Sequence, residues 1–460
     1  MMKINKKILY VVFFLVLVVA SLGWAKRGEF NAQDVLQNSK IKRNKVSLKV
    51  EEVKIFNDEN VVYLIEDNSV ELVAISFGFD KAGGAYEKKD GVSLLAQDLM
   101  LSGAGKYKRE DVRKIMKEKG IKIDIVVTDD RLKFNVSYVK KFEKDALDLL
   151  KNILYQPSFN KEDLDIAKQQ FNVVKSRSEE SPSYQLSKLI KREFYGKHRY
   201  GKDYIPAKED LDKVVASDIK EYLKDFMVRE NLNIGVAGNV SKDEIKVILE
   251  DLFGGLVKNA KYSDDISFEK DFEGRENAID FEVSKQSFVM FIRKGIDRLD
   301  NDFYPLYIAD YIFGGSGLTS RLNVSIREKA GLTYGIYSYF SNSDAIDLWN
   351  VSFSSTPDNV EEIIRKFNEE YDNFINNGIT KKELDWAKKS LYSSFNLRFS
   401  NMANMANMLE QMQAQKLGRD FLEKRQDYIQ NIKLDDVNVA LKKWKEEGGE
   451  FQIFRVNGKI

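Results

Sequence analysis

The spacing of apolar and polar residues changes several times along the chain, and each change marks an element. Residues 61–65 and 70–79 are runs of β-branched and aromatic residues with the turn formers Glu66, Asp67 and Asn68 between them, the pattern of a hairpin. Over residues 91–102, 108–119, 141–154, 161–178 and 208–226, apolar positions recur every three or four residues with charges between, which predicts amphipathic helices. LKFNVSYV (132–139) and LNIGVA (232–237) read as further strands. The second runs through Gly238 and Asn239 into a helix over 242–253, with Ser241 as its N-cap. Periodicity then fades over residues 258–277, KNAKYSDDISFEKDFEGREN, a charged stretch that reads as a linker. Beyond it the order returns: a strand at 287–292, helices near 301–313 and 319–329, a strand at 348–353, helices at 358–376 and 381–397, and a strand at 451–456. Strands interleaved with paired helices predict an α+β fold of two homologous α/β sandwich domains, each a sheet with packed helices, over 45–257 and 278–460. The matching order in the two halves points to a duplication.

The first stretch stands apart. Lys3, Lys6 and Lys7 precede the uncharged run ILYVVFFLVLVVASLGWA (8–25), and Lys26 and Arg27 follow it. A charged segment before an apolar run is the pattern of a secretory signal, with Ala20 or Ala25 as cleavage points. Left uncleaved, the same run through residues 8–25 is a membrane tether. Either reading places the body of the protein outside the cytoplasm, in the periplasm or anchored facing it.

Composition removes catalytic options. Of 460 residues one is histidine and none is cysteine, so cysteine proteases, disulfide scaffolds, thiolate zinc sites and Cys-ligated iron–sulfur clusters are excluded together. A catalytic zinc site takes most of its ligands from His and Cys, and His198 alone cannot build one. Ser-His-Asp chemistry survives only if His198 serves it. With 73 Lys and Arg against 72 Asp and Glu, the net charge of +1 gives no field that favours nucleic acid.

KAGGAYEKKDGVSLLAQDLMLSGAGKY (81–107) resembles a segment of the insulinase/pitrilysin family of zinc peptidases. In that family a strand and a Gly-containing turn lead to an acidic residue, a glycine and the inverted zinc motif His-x-x-Glu-His on a helix. With Gly91 on the family's glycine, Leu94, Gln97 and Asp98 stand where the resemblance places a ligand, the general base and a second ligand. Leucine has no lone pair for a metal, and a glutamine does not take a proton as a carboxylate does. The family's third ligand, a helical glutamate, corresponds to the region of Gln169, Gln170, Val173 and Val174. Glu179 and Glu180 just beyond read as a solvated helix end followed by a turn. His198 falls in another family segment, FYGKHRYGKD (194–203), and reads as structural.

In the second half, FGGSGLTSRLNVSIREKAGLTYGIYS (313–338) closely resembles the family's second-domain motif. Arg327 and Tyr334 stand seven residues apart with Gly331 breaking the helix between them. In bacterial two-subunit relatives an Arg/Tyr pair at these positions belongs to the subunit without zinc and holds peptide in the other's site. Arg offers fixed donors for peptide carbonyls or an oxyanion, and the Tyr hydroxyl adds another. Gly314, Gly315 and Gly317 lack the Gly-Lys-Ser/Thr of a phosphate loop, and Leu318 removes the last glycine of a nucleophile elbow at Ser316. Met402, Met405, Met408 and Met412 form a stripe that reads as flexible packing.

The resemblance thus implies a clamshell-shaped, non-catalytic, substrate-binding subunit of an exported zinc metallopeptidase complex. Its partners would be a zinc-bearing homologous peptidase subunit and the peptide substrate, with no nucleic acid. No cofactor is expected in this chain, and zinc is expected in the partner. Free strand edges near residues 70–79 would pair with an extended peptide. The competing reading is a structural, scaffolding pseudopeptidase without a role in hydrolysis.

Overall fold

A computed structural model describes residues 48–261 and 265–459. The expected signal or tether lies outside the described residues, as do positions 262–264 of the expected linker. Among the described residues, no helix is long and apolar enough to cross a membrane.

The first half is built on β1 (Glu51–Ile55), β2 (Asn60–Glu66), β3 (Leu72–Asp80), β6 (Lys122–Val127), β7 (Arg131–Val139) and β8 (Leu232–Gly238), with the small hairpin β4 (Gly103–Ala104) and β5 (Tyr107–Lys108) outside the sheet. The order is β1-β2-β8-β3-β7-β6, antiparallel except for β2 against β8. The expected hairpin of residues 61–65 and 70–79 therefore does not form: β8 lies between its two strands. The connection over residues 67–71 is long enough to step over one strand, and the end of β8 tucks into it, with Asp67 N–H donating to Gly238 O at 3.0 Å and Asn239 N–H to Leu72 O at 3.0 Å. β3 is consequently paired on both sides, so the free edges expected near residues 70–79 are absent; the outer strands are β1 and β6.

Alternation along each strand sends side chains to opposite faces. Val62, Leu64, Val73, Ile75, Phe77, Phe79, Ile234 and Val236 lie in one core with the helices Glu143–Tyr155, Ala216–Phe226 and Lys242–Phe253. Phe77 stacks on Phe134 there, ring centres 4.7 Å apart. The next residues along, Tyr63, Ile65, Ala74 and Ala237, face the other way and meet helix Met402–Ala414, which comes from the second half of the sequence.

The second half is built on β9 (Glu276–Asp280), β10 (Ser287–Lys294), β11 (Ile336–Ser341), β12 (Leu348–Ser355) and β13 (Gln452–Asn457), ordered β11-β12-β10-β13-β9. One face carries an aromatic core in which Phe291 stacks on Phe367 at 4.3 Å and Trp349 meets Trp444 edge-on at 4.8 Å. On the other face, Ile292, Leu348, Phe454 and Val456 pack against Leu186 and Leu189 of helix Pro182–Ile190, which belongs to the first half. Each half therefore lends one helix to cover the other's sheet.

Small residues and buried charge fix the first of these exchanges. A Cβ on Gly235 would collide with the Ala406 carbonyl oxygen, so glycine is what lets the helix backbone approach. Gln413 then bonds both the N–H and the C=O of Ile234 at 2.9 Å. Glu410, wholly buried on the same helix, accepts from Arg131 and forms an ion pair with Lys133 at 2.5 Å, while Arg131 also holds Asp80 at 2.5 Å. Burial pushes the Lys133 ammonium below the ordinary lysine range against the pull of Glu410.

Some helical expectations change in detail. Residues 208–226 divide into Lys208–Lys213 and Ala216–Phe226. Residues 319–329 form a 3₁₀ turn, Gly317–Thr319, and a π-helical turn, Asn323–Lys329.

Candidate functional site

The positions matched to the zinc motif lie on helix Val92–Leu99. Glu87 closes its N-terminus, accepting the N–H of Gly91 at 2.7 Å and of Ser93 at 2.8 Å. Burial pushes the Glu87 carboxyl up from the ordinary glutamate range, and those two N–H bonds pull the other way. Leu94 is 5% exposed and part of the first core. Gln97 turns to β6, where its Oε1 accepts the N–H of Val127 at 2.7 Å. Asp98 faces solvent. An alkyl chain, a carboxamide oxygen already engaged and a solvent-facing carboxylate do not fit a zinc ion. Among the described residues, no group of three or more His, Cys, Asp and Glu side chains converges as a metal-binding set.

Nor does helix Lys161–Glu179 supply a missing ligand. Gln169, Gln170, Val173 and Val174 are all exposed on it. Glu179 is held at its end by Lys188, at 2.9 and 3.0 Å, and by Gln185 at 2.8 Å; burial would raise its pKa, but these bonds outweigh it and hold the carboxyl low. His198 is structural. Its Nδ1 accepts the Tyr200 N–H at 3.3 Å, which leaves Nε2 to donate to Ile266 O at 3.1 Å, and its ring lies 4.9 Å from that of Phe268.

Arg327 and Tyr334 are set on a frame of buried polar bonds. The chain leaves helix Phe303–Asp310 through a wide π-helical turn, Tyr311–Gly315, and a second such turn, Asn323–Lys329, carries Arg327. Such turns recur at functional sites. Asn323, fully buried, donates to Gly317 O at 3.0 Å and Ile336 O at 2.6 Å and accepts Ile336 N–H at 3.2 Å. Thr333 donates to Ser354 O at 2.7 Å and accepts the Gly335 N–H at 3.1 Å. Ser355 and Asn359 both donate to Leu332 O. Gly331 turns the chain at φ 67°, a left-handed conformation that glycine adopts without a steric penalty. The loop is thus fastened on both sides of Tyr334, whose own side chain is 86% exposed. Among the described residues, neither the Arg327 guanidinium nor the Tyr334 hydroxyl has a hydrogen-bond or ion-pair partner.

Behind this frame Asp310 ties the strands together, its Oδ1 accepting from Ser338 Oγ at 2.5 Å and Trp349 Nε1 at 2.7 Å. Burial pushes its carboxyl up to about 6 despite those donors. The loop preceding helix Val92–Leu99 meets the turn between β11 and β12, where Tyr86 donates to Asp344 at 2.7 Å; the Asp344 N–H in turn donates at 3.4 Å to Asp130, between β6 and β7, which also accepts from Tyr200. Burial lifts Asp130 to about 6, opposed by the Tyr200 bond and reinforced by Asp344.

The profile described as "Insulinase (Peptidase family M16)" matches residues 61–205, and that described as "Peptidase M16 inactive domain" matches 213–391. The chain is an M16 insulinase-family homologue. A Bacillus subtilis (strain 168) protein named "Uncharacterized zinc protease YmxG" is 22% identical over 351 residues, 75% of this chain and 84% of its own length. A Helicobacter pylori (strain ATCC 700392 / 26695) relative named "Non-peptidase homolog YmxG" is 23% identical over 392 residues, covering 84% of this chain and 89% of its own length. The solved structure of the peptidase M16 inactive domain from Pseudomonas fluorescens matches with a TM-score of 0.82 at 21% identity, over 90% of this chain and 98% of that one, a likeness of fold. Within this M16 fold of two α/β domains, Leu94, Gln97 and Asp98 lie on one half and Arg327 and Tyr334 on the other.

Proposed function

We propose that this chain is the non-catalytic, substrate-binding subunit of an exported zinc metallopeptidase complex. A zinc-bearing homologue supplies the metal, which polarises the scissile carbonyl and activates water. This chain supplies Arg327 and Tyr334 to the bound peptide. The observation that carries the reading is the state of these two side chains: both lack partners among the described residues, and Tyr334 projects into solvent from a loop whose backbone is bonded on either side. The fastened backbone limits where the two side chains can reach, and their lack of partners leaves the guanidinium and the phenol free to donate to a carbonyl oxygen of the peptide. A scaffold without substrate has no use for such an arrangement. Export rests on the N-terminal sequence, with its lysines ahead of the apolar run at residues 8–25.

The test is zinc content and peptide hydrolysis of the purified chain, alone and co-purified with a homologue that retains His-x-x-Glu-His. Alone, the chain is expected to carry no stoichiometric zinc and no activity, and the complex to hydrolyse peptides. Stoichiometric zinc in the isolated chain, with hydrolysis lost on chelation, overturns the proposal.

A further inference from the structure

We infer that a trough beside Tyr334 is a subsite for a large, uncharged apolar side chain of the bound peptide. This rests on the proposal that Arg327 and Tyr334 hold that peptide. Across the second sheet, Met290 on β10 pairs with Ser352 on β12, which pairs in turn with Tyr337 on β11; one step along, Phe288 pairs with Ser354. Residues paired in this way share a face. Ser352 thus lies between Met290 and Tyr337, and Ser354 lies beside Phe288, so the sheet surface sinks into a furrow along β12. Helix Pro182–Ile190 closes one side with Leu186 and Ile190. The trough, open to solvent along its length, measures about 540 Å³, within the range of sites that hold small ligands.

Three features select the occupant. The trough begins at Gly335, the residue next to Tyr334, and its floor is fastened to the same loop because Thr333 holds the Ser354 carbonyl. A peptide lying on Tyr334 therefore reaches it without a bend in the protein. The charged residues of the lining, Asp129 and Lys191, face each other at 3.5 Å, so an ionised side chain finds no free counter-charge there. Finally, Phe288 and Met290 are only half-buried, whereas Ile292 and Leu348 farther along the same face are covered by the exchanged helix. Filling the trough removes this residual apolar surface from water, and the serine hydroxyls can donate to or accept from the peptide backbone.

The experiment uses the full chain and fluorescein-labelled unstructured peptides that differ only at one central residue: Leu, Phe, Asp or Lys. Anisotropy titrations are expected to give Leu and Phe peptides an advantage of about tenfold or more over Asp and Lys. Ser352→Leu, which fills the furrow, should erase that advantage by weakening the apolar peptides alone, and Met290→Ala, which removes one wall without adding bulk, should reduce it. Arg327→Ala should weaken all four by a similar factor and leave their ranking unchanged. If both trough variants keep the native melting temperature and the full preference while Arg327→Ala still weakens binding, the subsite is wrong and the substrate-binding reading stands. If Arg327→Ala and Tyr334→Ala change nothing for any peptide, the reading beneath the subsite fails and the subsite falls with it.

Discussion

The side-chain oxygen of Gln97 accepts the backbone N–H of Val127 at 2.7 Å, so the position matched to the family's general base joins helix Val92–Leu99 to the outer strand of the first sheet. Beside it Leu94 is sealed in the core. Gln97→Ala should cost about 1 to 2 kcal/mol, because it leaves a partly buried N–H unpaired, whereas Gln97→Glu keeps an acceptor and should cost less. Urea unfolding of the two variants checks the difference, and neither should change peptide affinity.

Glu410 and Asp80 together balance the charges of Arg131 and Lys133 at the contact between one half's helix and the other half's sheet. Removing one partner of a buried cluster leaves charge behind in low dielectric, so Glu410→Ala should destabilise the fold by about 3 to 5 kcal/mol. Glu410→Gln keeps the shape and part of the bonding and should cost less. Chemical denaturation read by tryptophan fluorescence measures both.

The segments whose pattern is local were legible in the sequence. Residues 132–139 fall within β7, where burial alternates at every position, and 242–253 coincides with an observed helix. Strand order was not legible, because nothing local to residues 61–79 reveals that β8, far along the chain, enters between β2 and β3. The methionine stripe marked a packing face at 402–412, but its location depends on Gly235 admitting the helix to the opposite half's sheet. β11 escaped notice because tyrosines interrupt its alternation: Tyr337 and Tyr339 stand on the face opposite Ile336 and Ser338. Motif resemblance singled out Arg327, Tyr334, Leu94, Gln97 and Asp98. It did not reveal the Val127 contact of Gln97 or the trough, both of which arise from strands adjacent only in the folded chain.

Asp310 makes stability depend on pH in an unusual direction. Its carboxyl titrates near 6 when folded against an ordinary value of 3.8, so between those values the native state binds more protons than the unfolded one. Its contribution therefore weakens the fold as pH rises through this window, by up to about 3 kcal/mol above it. Asp310→Asn retains the acceptor for Ser338 and Trp349, since both donate to Oδ1. The variant should lose this part of the slope and gain relative to the parent at pH 7.5, with little difference at pH 4. Urea melts at the two pH values read the effect. Asp130, also raised to about 6, contributes with the same sign and is untouched by the substitution.

The most direct test of the central claim is peptide turnover by the assembled complex carrying Arg327→Ala or Tyr334→Phe in this chain, with assembly followed by size exclusion. Loss of donors to a developing oxyanion predicts a fall of about a hundredfold for Arg327→Ala and about tenfold for Tyr334→Phe, with the complex intact. Wild-type turnover in both variants would contradict a substrate-handling role and leave the chain a scaffold.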